Sequence, residues 1–215
     1  MIVVVGNPIL RRSPDGKPPG LAGIGALAAL AAARAGAQVQ LVGRAGDDID
    51  GDAVVLALAG AGIGHAALLR ARVATPVMTD PPEPAVGEPP DEGESIAGSD
   101  PGLDPADVDL ALRYLPDFRV LVVAPEVTVE TAVVADRAAA WMGATSIRLV
   151  RDPDAVSPPD GPDGTIVLGA PAHDPDGAFA TLVGALAAAI DGGEDAATAF
   201  RAVIATSGWE SAAED

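Results

Sequence analysis

Residues Val39–Gly51 read VQLVGRAGDDIDG. The first half is an apolar run that suits a strand, placed at Gln38–Gly43. The second half turns through glycine and closes on acids. Carboxylates there mark a helix start, because the first amides of a helix lack partners and the dipole favours negative charge. The helix then runs over Asp50–Gly62. Working outward, Ile2–Val5 (IVVV) and Arg119–Ala124 (RVLVVA) are continuous apolar runs, the pattern of strands buried on both faces. Ser146–Val150 and Thr165–Gly169 read as further strands, and Ala66–Ala71 and Thr75–Thr79 as short ones. Helices are predicted over Leu21–Gly36, from an Asp104 cap through Tyr114, from a Thr128 cap to Gly143 with Glu130 in its first turn, and over Asp176–Asp191 and Glu194–Thr206. Asn7–Gly20 and Asp152–Gly164, rich in Pro and Gly, read as loops. Strands alternating with helices predict an α/β fold: a doubly wound, mainly parallel sheet with helices on both faces.

At 215 residues the expectation is one domain over residues 1–215. Aromatics are only 3%, so Ala, Val, Leu and Ile must build the core. A formal net charge of −18 opposes contact with nucleic-acid phosphates and anionic membranes, and neither is expected as a partner. There is no Cys, hence no disulfide or thiolate chemistry. MIVVVGNP lacks the features of a signal peptide, and Leu21–Ala33 is too short to span a bilayer. Together these point to a cytoplasmic chain. Asp80–Glu94 (DPPEPAVGEPPDEGE), rich in Pro and acid, is expected to be a mobile loop.

Three segments, in order, carry a resemblance. Leu21–Ala37 (LAGIGALAALAAARAGA) resembles the glycine-containing helix that follows the sugar-binding Gly-Gly of the ribokinase or PfkB carbohydrate-kinase family. Val39–Gly51 resembles the family's strand and Gly-x-Asp-x-x-Gly turn, matched at Gly46, Asp48 and Gly51. Asp176–Asp191 followed by Gly192-Gly193 resembles the C-terminal helix that begins at the family's catalytic motif. Ala74-Thr75-Pro76 matches a recurrent family tripeptide, and Val120–Pro125 looks like its central strand. The resemblance implies a ribokinase-like sheet and an ancestry in ATP-dependent phosphorylation of sugars or nucleosides. For the acidic turn it implies mainly a fold-shaping role, and the residues alone say the same, since such a turn starts a helix well.

The chemistry that the resemblance implies is only partly present. In the family an Asp deprotonates the acceptor hydroxyl, and Gly-Ala-Gly before it forms an anion hole at a helix N-terminus. Here the stretch is His173-Asp174-Pro175-Asp176-Gly177-Ala178-Phe179. Aligning Ala178-Phe179 with the family's Ala-Phe puts Gly177 at the base and Asp174, Pro175 and Asp176 in the hole. A one-residue shift makes Asp176 the catalytic base but leaves Asp174 and Pro175 there, and Pro175 has no N–H to give. The anion-hole region is therefore placed at Asp174 and Gly177, and substrate-binding glycines at Gly20 and Gly23. The family's Asn after the double glycine falls at Leu27, and Asn7–Gly20 looks too short for its lid strands. A zinc site from His173, Asp174 and Asp176 is outweighed by a solvated loop, so no metal is expected.

The leading reading is a degenerate ribokinase-like protein without phosphoryl transfer, acting in ligand binding or assembly and needing no cofactor. The alternative is a divergent sugar or nucleoside kinase using Mg-ATP, with Asp176 as base. A third reading has the acidic loop meeting a basic partner. A small sugar or nucleoside ligand fits the first two, and self-association is left open.

Overall fold

The computed structural model describes residues 1–13, 15–80, 95–151, 164–174 and 176–207. Six strands form one parallel sheet in the order β10-β9-β8-β1-β4-β5. They are β1 (Ile2–Val5), β4 (Val39–Gly46), β5 (Gly64–Ala71), β8 (Val120–Val123), β9 (Thr145–Val150) and β10 (Ile166–Gly169). β1 lies in the middle, Ile2 facing Val39 on one side and Val120 on the other. Its four side chains are 0–1% exposed, as the unbroken apolar run predicts.

Side chains of alternate parity enter two cores. Ile2, Val4, Leu41, Val120, Val122 and Ile147 meet α1 (Ile24–Arg34), α2 (Ile49–Gly60), α5 (Ala178–Asp191) and α6 (Ala196–Ser207). Val3, Val5, Val42, Leu121 and Val123 meet α3 (Pro105–Tyr114) and α4 (Val129–Met142). Helices thus cover both faces, as expected. The alanine richness has a packing consequence: α1 and α5 cross where a methyl on Gly184 would lie 2.5 Å from both the Ala28 carbonyl oxygen and Ala31 Cβ. Small residues on both helices allow that approach.

The predicted caps are in place. Asp104 and Thr128 accept from Ala106 N and Thr131 N, and Gly143 ends α4 at φ 66°. The helix expected over Leu21–Gly36 starts later, at Ile24, because Leu21 and Ala22 belong to a strand. The region 7–20, read as loop, likewise contains a strand. β2 (Ile9–Arg12) pairs antiparallel with β3 (Gly20–Ala22) and parallel with β6 (Val77–Thr79), and β7 (Ser95–Ala97) completes a second, four-stranded sheet, β3-β2-β6-β7. β2 and the start of β3 therefore lie between β1 and α1, correcting the reading of Asn7–Gly20 as loop. Pro residues on both sides hide β2 in the sequence. Only Leu10 of its four residues is buried, while Arg11 and Arg12 form ion pairs with Asp80 and Asp50. Of the loop expected at Asp80–Glu94 only Asp80 lies within the described residues, and of Asp152–Gly164 only Gly164.

The GDDIDG turn is a knot joining the two sheets. Asp48 Oδ1 accepts from Gly51 N at 2.8 Å and from Thr75 Oγ1 at 2.6 Å, and its Oδ2 accepts from Thr75 N at 2.8 Å. Thr75 Oγ1 also accepts from Gly46 N at 2.9 Å. Gly46 has no room for a side chain, since a methyl there would lie 2.5 Å from the Val73 carbonyl oxygen. Partial burial works against the charged Asp48, but the hydrogen bonds from Thr75 and Gly51, with Arg70 nearby, hold its pKa below the usual value.

Candidate functional site

The winding of the sheet reverses at its centre. From β1 the chain moves out to β4 and β5, and from β8 it moves the opposite way to β9 and β10. In open parallel sheets, ligands bind outside the carboxyl ends of the strands at such a reversal. Here the reversal lies between β1 and β8, so the residues to inspect are Gly6-Asn7 and Ala124-Pro125-Glu126.

Two glycines let the chain close around Glu126. A methyl at Gly6 would lie 2.6 Å from Ala124 Cβ and 2.8 Å from Glu126 Oε1, and one at Gly25, in the first turn of α1, 2.9 Å from Ala124 Cβ. Glu126 is exposed as a residue, with its carboxyl crowded by the neighbouring chain. The loss of water around the crowded carboxyl raises its pKa to about 7, against the pull of its own amide, of the Asn7 amide that donates to it, and of Arg151, with Asp100 pushing it further up. Asn7 is 8% exposed and holds the surroundings together. Its Nδ2 donates to Asp100 at 2.7 Å, its Oδ1 accepts from Arg44 N at 2.8 Å, and Arg44 reaches on to Asp107 of α3. A carboxyl with a pKa near neutrality can accept a hydrogen bond in one state and donate in the other, which suits a hydroxyl-rich ligand.

A pKa higher in the folded chain than the ordinary 4.5 has a definite sign in stability. The folded state binds the proton more tightly, so its contribution is complete below about pH 4.5 and is lost as the pH rises to about 7. Glu126→Gln removes the titration. The variant is expected to gain melting temperature over wild type at pH 8 and little at pH 4.5. An equal change at both pH values would show that the carboxyl is not raised.

The second component is the N-terminus of α5. Gly177 is its N-cap at φ 65°, without a side-chain cap of its own. The first amides are taken from upstream: Asp174 Oδ1 accepts from Phe179 N at 3.0 Å and Oδ2 from Ala180 N at 2.9 Å. This is the end of the helix expected at Asp176–Asp191, which starts instead at Ala178. A methyl on Gly177 would stand 3.7 Å from Leu27 Cδ1, so the beginnings of α5 and α1 adjoin at the carboxyl edge of the sheet.

Asp174 and Gly177 meet at the α5 start, with Asp174 turned into the helix rather than toward solvent. Asp176 is exposed, and Pro175 lies outside the described residues. Gly23 is the N-cap of α1 at φ 85°, with no side-chain cap. Gly20 opens β3 and pairs with Arg11. Asn7, Asp100 and Glu126 were not anticipated; Asn7 and Glu126 come together through pairing of β1 with β8, which no local pattern announces, and Asp100 joins them from the segment between β7 and α3. Among the described residues no group of three or more His, Asp or Glu could hold a metal ion, and no helix is long and apolar enough to cross a membrane.

No family model matches the chain, and no curated protein matches it. Solved structures do. One is ribokinase from Arabidopsis thaliana complexed with ribose and ATP, at 15% identity and a TM-score of 0.65 over 96% of this chain and 90% of that one. Another is fructokinase from Vibrio cholerae O395 in apo form, at 15% identity and a TM-score of 0.65 over 96% and 95%. The chain has the ribokinase-like fold. At this identity the likeness is one of fold, and it extends to both the parallel sheet and most of the chain. Within a ribokinase-like sheet, the switch point at β1 and β8 and the start of α5 are the places where this chain's own chemistry has to be read.

Proposed function

We propose that this is a ribokinase-fold protein without phosphoryl transfer, which binds a small hydroxyl-rich ligand at the switch point or serves in assembly. The observation that carries the reading is Asp174. Its carboxylate already fills the amides of Phe179 and Ala180. Transfer of a phosphoryl group needs donors and cations around the developing charge, and free helix N-terminal amides are a common source of them. A phosphate brought to this end would face the Asp174 charge instead, at a cost of about 4 kcal/mol per pair of unit charges 4 Å apart near a protein surface. The start of α5 therefore does not fit the phosphates of Mg-ATP. On the ligand side, Glu126, Asn7 and Asp100 supply acceptors and an amide donor where sheets of this kind bind ligands.

A second reading keeps catalysis, with Asp176 as general base. What favours it is the position of Asp176, exposed and immediately before the α5 cap, where its carboxylate is not consumed by the helix.

Mg-ATP titrated into the protein in a calorimeter should give no saturable heat, and ribose, fructose and adenosine should not be phosphorylated. Tight Mg-ATP binding with turnover would overturn the proposal. If that turnover then collapsed in Asp176→Asn with the fold intact, the second reading would replace it.

A further inference from the structure

β7 is the outer strand of the small sheet, and residues 98–102 form a strap that leads from it toward α3. Both ends of the strap are fixed. Gly98, at φ 99°, lies against Thr75, where a methyl would stand 2.9 Å from the carbonyl oxygen. At the other end Pro101 is buried, as is Leu103, whose carbonyl accepts from Thr131 Oγ1 of α4 at 3.0 Å. Ser99 and Asp100 between them are exposed. Asp100 Oδ1 accepts from Asn7 Nδ2 at 2.7 Å and from Gly102 N at 3.0 Å, and the first of these bonds joins the strap to the end of β1. Asn7 thereby holds two acids at once, since its backbone amide donates to Glu126.

We propose that Asp100 and Glu126 form a proton-operated latch, in which the strap is docked on Asn7 while Glu126 holds its proton and is released when Glu126 ionises. The charged groups around Glu126 set the direction. Asp100 faces it from the strap and Arg151 from the end of β9, while β1, β8 and α1 bring only the uncharged Gly6, Asn7, Ala124 and Gly25. Arg44 of β4 and its partner Asp107 of α3 stand one residue further off, behind Asn7. An ionised Glu126 is favoured by Arg151 and opposed by Asp100. Coupling between two sites is reciprocal. If a docked Asp100 makes Glu126 hold its proton more tightly, a proton on Glu126 holds Asp100 in place by the same factor. Asp100 is the member that can yield, because the Glu126 carboxyl is hemmed in beside Gly6 and Ala124 while Ser99 and Asp100 stand in solvent. The result is a pH-sensitive connection between the switch point and the outer strand of the small sheet. It does not depend on which ligand, if any, the switch point binds.

Nuclear magnetic resonance of the full chain, titrated from about pH 5 to about pH 9, tests the latch. The Asn7 side-chain amide should move with the same midpoint as the Glu126 carboxyl carbon, at about pH 7. Above the midpoint it should reach the position it has in Asp100→Ala, where the bond to the strap cannot form. In Glu126→Gln it should keep its low-pH position throughout. In Asp100→Ala the Glu126 midpoint should fall to lower pH. The proposal is overturned by a wild-type Asn7 amide that does not move with pH, by one that moves equally in Glu126→Gln, or by a Glu126 midpoint that is the same with and without Asp100.

Discussion

Gly184→Leu is expected to destabilise the fold by at least about 3 kcal/mol, more than the usual cost of overpacking a core. The reason lies in what surrounds the missing side chain. A methyl at this position would stand 2.5 Å from the Ala28 carbonyl oxygen and from Ala31 Cβ, and 2.8 Å from the Ala32 nitrogen. Two of those three atoms belong to the backbone of α1, which cannot swing aside as a side chain can. Relief requires α5 to move off α1, and with it Val183, Leu186 and Ala187, all 0% exposed. For a chain of this size the melting temperature should fall by roughly 6–12 °C. Gly60→Ala is the control. It lies in the last turn of α2 with nothing near its missing methyl, so it should gain about 0.5–1 kcal/mol. Thermal or urea unfolding of the two variants beside wild type checks both signs. A Gly184→Leu protein as stable as wild type would mean that the α1–α5 crossing is looser than described.

Asp48→Ala should cost about 3 kcal/mol, although it removes no apolar contact. An N-cap alone contributes about 1 kcal/mol. Here the same carboxylate also satisfies Thr75 N and Thr75 Oγ1, and Thr75 is 2% exposed, so its donors would be left without water. Because the Asp48 pKa is lowered in the folded chain, its contribution is present at neutral pH and is lost as the pH falls below the ordinary carboxylate range. The difference in unfolding free energy between wild type and Asp48→Ala should therefore shrink on acidification. A difference that does not change with pH would show that the carboxylate charge is not what Thr75 and Gly51 recognise.

Much of the central sheet was legible because its strands are saturated with apolar residues: IVVV at Ile2 and VLVV at Val120 have few other uses in an α/β chain. The acidic turn was legible as a helix start and as a match to the family pattern, and Asp48 does cap α2. The small sheet was not legible. β2 and β3 are four and three residues long and lie among prolines; β3 pairs only with β2, and β2 is held by β6, more than sixty residues away. The candidate site divides along the same line. An acid before α5 can be read directly, but that Asp174 bends inward onto two amides depends on backbone direction. Glu126 and Asn7 are neighbours only because β8 lies against β1.

That placement of β1 also governs the order in which the protein can be assembled during synthesis. β1 leaves the ribosome before β4 and β8 and can pair with β4 soon after that strand emerges, yet its other edge belongs to residues 120–123. At translation rates of 5–20 residues per second, the delay between the two strands is roughly 6–24 s. Throughout it, four adjacent aliphatic side chains and one unpaired strand edge stand at the heart of an unfinished sheet, the condition under which nascent chains stick to one another. A strand central in space but made long before one of its two neighbours leaves the growing chain with an apolar edge to protect until residues 120–123 have been made.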